Sequence, residues 1–183
     1  MKKHITAAIV GLAILGGLST YIYILTNNKI VFGYNVGYQP TQPIPFSHKQ
    51  HVGEYKIDCT FCHTGADTTR HASVPSLNIC MNCHMTVQAV GSDGTPSPHI
   101  QKLQTAFYEN KPIEWEKVHL LPDHVKFNHS AHVQAGKACN ECHGDVENME
   151  EVYQWSSLSM GFCVNCHRKP ENKAPLNCST CHY

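Results

Sequence analysis

The chain of 183 residues has room for one compact domain beside whatever its N-terminus contributes. Its apolar share of 42% is inflated by ten cysteines and by the first segment; after residue 26 long apolar runs are few, and scattered Pro, Gly, Asn, Thr and Ser exclude a large side-chain core. Fourteen basic residues balance fourteen acidic ones, so no excess of positive charge calls for a nucleic acid.

Residues 5–25 carry no charge. At about 1.5 Å per helical residue they are long enough to cross a hydrocarbon layer of roughly 30 Å. Lys2 and Lys3 precede them, so the positive-inside rule keeps the N-terminus in the cytoplasm and exports the remainder, with Tyr21 and Tyr23 near the outer interface. A cleaved signal peptide is the competing reading, but a signal core is shorter and ends in a small-x-small site that is not evident here. Either reading exports the domain, and a single-pass bacterial inner-membrane protein with a periplasmic domain is expected. Ala7 with Gly11, and Ala13 with Gly17, are spaced for close approach of another helix.

Residues 27–45 hold Gly33, Gly37, Pro40, Pro43 and Pro45 and read as an extended lead-in. Phe46-Ser-His48-Lys-Gln-His51 follows and runs into Cys59-Thr-Phe-Cys62-His63 and Cys80-Met-Asn-Cys83-His84. A loop is expected from Val90 to Pro98. After it Ser97 caps a helix with Pro98 at its first position, with Ile100, Leu103 and Phe107 on one face and Pro112 stopping it. The stretch Trp115 to His124 leads into an echo of the earlier pattern, Phe127-Asn-His129-Ser-Ala-His132. That copy runs into Cys139-Asn-Glu-Cys142-His143, then Cys163-Val-Asn-Cys166-His167 and Cys178-Ser-Thr-Cys181-His182. His48 precedes Cys59 by eleven residues and His129 precedes Cys139 by ten, so the repeat is close but not identical.

In Cys-x-x-Cys-His two thiols can form thioethers with the haem vinyl groups, while the adjacent histidine is held under the iron as its proximal ligand. Zinc needs four ligands gathered from two half-sites and has no use for a histidine after every second cysteine. A thioredoxin-like pair needs one motif, whereas here all ten cysteines fall in five. Five covalent haem c groups are therefore expected, with His63, His84, His143, His167 and His182 as proximal ligands. Motif intervals of 21, 59, 24 and 15 residues leave room for short helices and loops around porphyrins. The expected fold is mostly irregular with short α-helices: a multihaem cytochrome c domain on a single N-terminal transmembrane helix. Its divisions are an anchor over 1–28 and an exported domain over 29–183. Within the latter lie a two-haem module (46–85), a connector (86–126) and a three-haem module (127–183). Two propionates per haem add about ten negative charges, which turns the partner expectation further toward protein or membrane.

Five haems need five distal ligands, and nine histidines lie outside the motifs. The two rings of Phe-x-His-x-x-His stand three residues apart on one helical turn and fan toward different haems. His48, His51, His129 and His132 are expected as distal ligands on that ground. His119 leads for the fifth place, His71 follows it, and Met160 is the thioether candidate; His99 and His124 read as surface residues.

The Phe-x-His-x-x-His and Cys-x-x-Cys-His modules resemble the small class III multihaem cytochromes c. The anchor, Pro45-Phe-Ser-His48, Arg70 through Pro75-Ser to Cys80-Met-Asn-Cys-His84, Lys111-Pro-Ile-Glu-Trp115, Val118-His-Leu-Leu-Pro-Asp123, Phe127-Asn-His129 and Met160-Gly-Phe-Cys163 together resemble the pentahaem subunit of bacterial alternative complex III. That resemblance implies a relay of electrons from a quinol-oxidising assembly, with iron-sulfur and polytopic membrane subunits, to a periplasmic cytochrome or oxidase. The subunit is then not catalytic on its own. The alternative is a self-contained anchored quinol dehydrogenase of the kind paired with periplasmic nitrate and nitrite reductases. A multihaem enzyme would need an open distal iron face, against which the surplus of histidines argues.

Overall fold

The structure, a computed structural model, describes residues 2–27, 35–90 and 94–183. Part of the expected lead-in (28–34), part of the expected loop (91–93) and the side chain of Ala7 lie outside the described residues. The first element is α1, Lys2–Asn27, 26 residues and so about 39 Å long. Its stretch Lys3–Ile24 has the length and mean hydropathy (1.9) of a membrane-crossing helix, and its large apolar side chains are exposed. Gly11 and Gly17 lie open, with nothing against them.

Beyond α1 the described residues form short helices, 3₁₀ turns and loops, with one isolated bridge between Val90 and Pro96 and no strand. The brevity follows from the motifs. Three of them occupy a single turn: α2 (Cys59–Cys62), α6 (Asn140–His143) and α8 (Cys178–Cys181). In each the histidine N–H donates to the carbonyl of the first cysteine four residues back, at 2.9–3.0 Å. One helical turn thus places both thiols and the imidazole on one face. The other two motifs close eight-residue helices, α3 (Leu77–His84) and α7 (Met160–His167). Side-chain caps set the starts: Asp58 accepts from Thr60 N–H, Asn128 from Ala131 N–H at the head of α5 (His129–Gln134), and Ser159 from Phe162 N–H.

The connector helix α4, Pro98–Tyr108, starts as expected, with Ser97 accepting from His99 N–H and Pro98 in the first turn. It ends at Tyr108, ahead of Pro112, where Asn110 turns to φ 54°. Leu103 is buried against Met81 of α3 and Ile44, with Ile100, Phe107 and Trp115 around them. Gln104 donates to the carbonyl of His84 at 2.7 Å. The helix therefore fixes the second motif from behind.

This cluster is most of the side-chain core. Among the described residues only Ile44, Met81, Leu103, Ala106 and Met149 are buried apolar side chains. The chain exposes 13123 Å², against about 8,800 Å² for a compact chain of 20.4 kDa. Part of the excess is α1; the rest belongs to a domain that its own side chains do not close.

The two copies of the repeat interlock. The first begins with a π-helical turn, Lys49–Glu54, where the second has α5. Lys49 N–H donates to the carbonyl of Met149, and a Cβ on Gly53 would collide with the carbonyl of Glu147. Only glycine permits that approach. In return the carbonyls of Thr69 and Arg70 accept from the N–H groups of Ser130 and His129 at 3.1 Å, closing the N-terminal turn of α5.

Candidate haem-binding sites

Four of the five motif histidines are held alike. The Nδ1 of His63 donates to the carbonyl of Ser73 (2.7 Å), His84 to Val87 (3.0 Å), His167 to Pro175 (2.7 Å) and His182 to His124 (3.0 Å). A backbone carbonyl can only accept, so each Nδ1 carries the proton and each Nε2 keeps its lone pair, the tautomer a metal requires. Ser73 adopts φ 67°, an unusual conformation for a side-chain residue, where its carbonyl meets His63. Three histidines outside the motifs are set by the same device: His51 donates to Ser47 (2.8 Å), His132 to Asn128 (2.7 Å) and His129 to Arg70 (3.2 Å).

Two imidazoles on one iron, each with a metal–nitrogen bond of about 2.0 Å and a ring centre about 1.1 Å further back, stand with centres about 6.2 Å apart. The structure brings His51 to 6.2 Å from His84, His129 to 6.3 Å from His143 and His132 to 5.9 Å from His167. His124 stands 5.6 Å from His182, with ring planes 22° apart. His48 is half-buried with its Nδ1 shut off from solvent and without a hydrogen-bond partner, and His63 is the histidine that acts on it most strongly. Burial pushes His48 and His119 down to about 4, and lowers His129 and His143, so these rings are neutral near pH 7.

One phenylalanine sets each outer pair. Phe46 lies edge-on to His48 (4.9 Å, 84°) and flat on His51 (4.3 Å, 27°). Phe127 repeats this with His129 (4.8 Å, 86°) and His132 (4.5 Å, 32°). Two rings in one copy and two in the other thus diverge from a common aromatic wedge.

All ten cysteines are free. Burial raises the thiols of Cys59, Cys62, Cys80, Cys142 and Cys163, which keeps them protonated and unlike the low-pKa thiolates of nucleophiles. Neighbouring thiols contribute in each case: Cys139 at Cys59, Cys83 at Cys62, Cys62 at Cys80, Cys166 at Cys142 and Cys181 at Cys163. The motifs therefore adjoin in the order second, first, third, fourth, fifth. Among the described residues no three His, Cys, Asp or Glu side chains converge on one point. The donors come as facing rings with paired thiols beside them, in a domain short of apolar core, and this donor set fits covalent haem.

Comparison with known proteins agrees with the geometry. Residues 125–183 match the family described as cytochrome c7 and related cytochrome c. The chain is 30% identical over 168 residues to the multihaem cytochrome c subunit of menaquinone reductase from Nitratidesulfovibrio vulgaris, across 79% of this chain and 78% of that one. It belongs to the multihaem cytochromes c.

One expected ligand and one expected surface residue sit differently in this cytochrome. His119, expected on the fifth iron, has its ring centre 4.5 Å from that of His143, too close for a metal between them, with its Nε2 3.3 Å from the Nδ1 of His143. His124, expected on the surface, is exposed but faces His182. His71 and His99 are exposed, and Met160 is 67% exposed at the first residue of α7. Spacing could not show the approach of His124 to His182, because the tail reaches it by tertiary contact: Lys126 N–H donates to the carbonyl of Cys181 at 2.7 Å. The roles of Phe46 and Phe127 were also missed, although their place two residues before the first histidine of each copy was a usable signal.

Proposed function

We propose that this multihaem cytochrome c holds five covalent haems and passes electrons between a quinone-linked membrane complex and an acceptor or donor outside the membrane. Its place would be that of the pentahaem subunit of alternative complex III, with residues 1–28 as anchor, 29–183 in the periplasm, and iron-sulfur and polytopic subunits as partners. The observation that carries this reading is the set of facing imidazole pairs at the spacing two axial ligands require. The proximal ligands are then His63, His84, His143, His167 and His182. Their distal partners are, in the same order, His48, His51, His129, His132 and His124. The haems, when bound, supply one-electron couples.

The chain's own contribution is to hold imidazoles in one tautomer by backbone carbonyls, to wedge them apart with Phe46 and Phe127, and to hold the attachment sites side by side. Their order puts the second and fifth sites at the ends of a row, where electrons would enter and leave. Six-coordinate irons have no position for an iron-bound substrate, and a single anchor helix encloses no site for a quinone head group, so the quinone chemistry would belong to partner subunits.

A second reading concerns direction. The relative from Nitratidesulfovibrio vulgaris is named for reduction of menaquinone, and the same row of sites serves a flow toward quinone as well as away from it. One experiment separates the readings: reduction of the haems by menaquinol, and their oxidation by menaquinone, in the intact complex and in the anchored subunit reconstituted alone in lipid. Fast exchange in the complex and none in the subunit is expected, with the faster half-reaction giving the direction. Equal rates in both preparations would replace the relay by a self-contained quinol dehydrogenase.

A further inference from the structure

We propose that His119 is a positioning residue for the third haem site: its Nε2 accepts the Nδ1–H of His143 and so sets how strongly that ring donates to iron. The inference rests on the reading of His143 as a proximal ligand.

Among the motif histidines, His63, His84, His167 and His182 give their Nδ1 protons to backbone carbonyls, whereas the Nδ1 of His143 meets a side-chain nitrogen, Nε2 of His119; with the Nε2 of His143 given to iron, the shared proton sits on His143 Nδ1. The contact is 3.3 Å long, and the rings meet edge to face, with planes at 78°. On its other side His143 lies 6.3 Å from His129, in a nearly parallel plane (9°), which is the spacing of an axial pair. His143 thus has a metal-facing partner in His129 and a proton-accepting partner in His119, and the two cannot exchange roles without moving an element.

An imidazole nitrogen is a far more basic acceptor than an amide carbonyl. The Nδ1–H of His143 is therefore polarised more than those of its four counterparts, and its ring carries more negative charge. A more basic axial ligand favours the oxidised iron and lowers the potential. The third site stands in the middle of the row, between the first and the fourth. His119 therefore makes the centre of the row harder to reduce than carbonyl-held ligands alone would, and it does so through a side chain that substitution can remove.

The test is a redox titration of the anchored holoprotein with electron paramagnetic resonance of each low-spin signal, for the unsubstituted chain, His119→Leu and His119→Gln. In His119→Leu five low-spin haems are expected, with the midpoint of one raised by about tenfold in its oxidation equilibrium, about 59 mV for a one-electron couple. His119→Gln keeps a side-chain acceptor and should restore most of that shift. A high-spin haem in either variant would make His119 an axial ligand and overturn the proposal, as would unchanged potentials in His119→Leu. If His119→Leu loses haem on folding, His119→Gln decides alone: all low-spin with near-native potentials sustains the proposal, and a high-spin fraction ends it. Failure of the underlying five-haem reading is separately visible, as a mass short of five haems in the unsubstituted protein.

Discussion

The two copies of the Phe-x-His-x-x-His element solve one problem with different backbones. In the second, His129 and His132 ride on a regular turn, α5, capped by Asn128 and by carbonyls borrowed from residues 69 and 70. In the first, the same ring geometry about Phe46 is carried by a π-helical turn, Lys49–Glu54, which absorbs the one extra residue between His48 and Cys59. A widened turn is a usual home for an inserted residue inside a helix at a functional site. What is kept between the copies is the angle of each imidazole to the phenylalanine, 84° and 27° against 86° and 32°. The helix type is not kept. Ring orientation, then, is the constrained quantity, and hydrogen-bonding pattern is adjusted to serve it.

The largest effect that could break this equivalence is ligand loss. His129→Ala and His132→Ala should each convert a different haem from low to high spin, and His48→Ala and His51→Ala should do the same for two more, read by optical and magnetic spectra. Two substitutions within one copy that perturb the same haem would show that the rings do not diverge. A smaller effect should distinguish the copies: Gly53→Ala puts a methyl group against the carbonyl of Glu147, where the π-helical turn meets the 3₁₀ turn at Val146–Asn148. A loss of about 1–3 kcal/mol in denaturant unfolding is expected there. Unchanged stability would mean that the first copy is held less tightly against residues 146–150 than the second is against residues 69–70. The smallest effect is expected at Met160. Exposed on α7, it should be replaceable by leucine with no change in near-infrared bands or potentials; loss of a charge-transfer band would restore it as a thioether ligand.

Much of this was legible in the chain itself. Five complete motifs with no cysteine left over named the chemistry, and Ser97-Pro98 with Ile100, Leu103 and Phe107 placed an ordinary amphipathic helix. The illegible part lies in contacts made by the backbone. The carbonyls of Arg70, Ser73, Val87 and Pro175 orient the rings of His129, His63, His84 and His167, and every residue has a carbonyl, so no residue type signals the role. His119 and His124 illustrate the same limit from the other side. Both are histidines near a motif-bearing copy, and spacing alone could not tell a ring that touches another ring's Nδ1 from one that faces a motif histidine across a gap.

Because ring orientation is stored in the path of the chain, substitution at those carbonyl-bearing positions leaves the acceptor in place. Such a scaffold can drift widely in sequence while its electron carriers stay put, provided that turns such as the left-handed one at Ser73 are preserved. A relative with which it shares 30% identity is within the reach of that drift. What substitution cannot spare here is a few thiols, a few imidazoles and two phenylalanines; between them, the rings are held by the path of the chain and not by its letters.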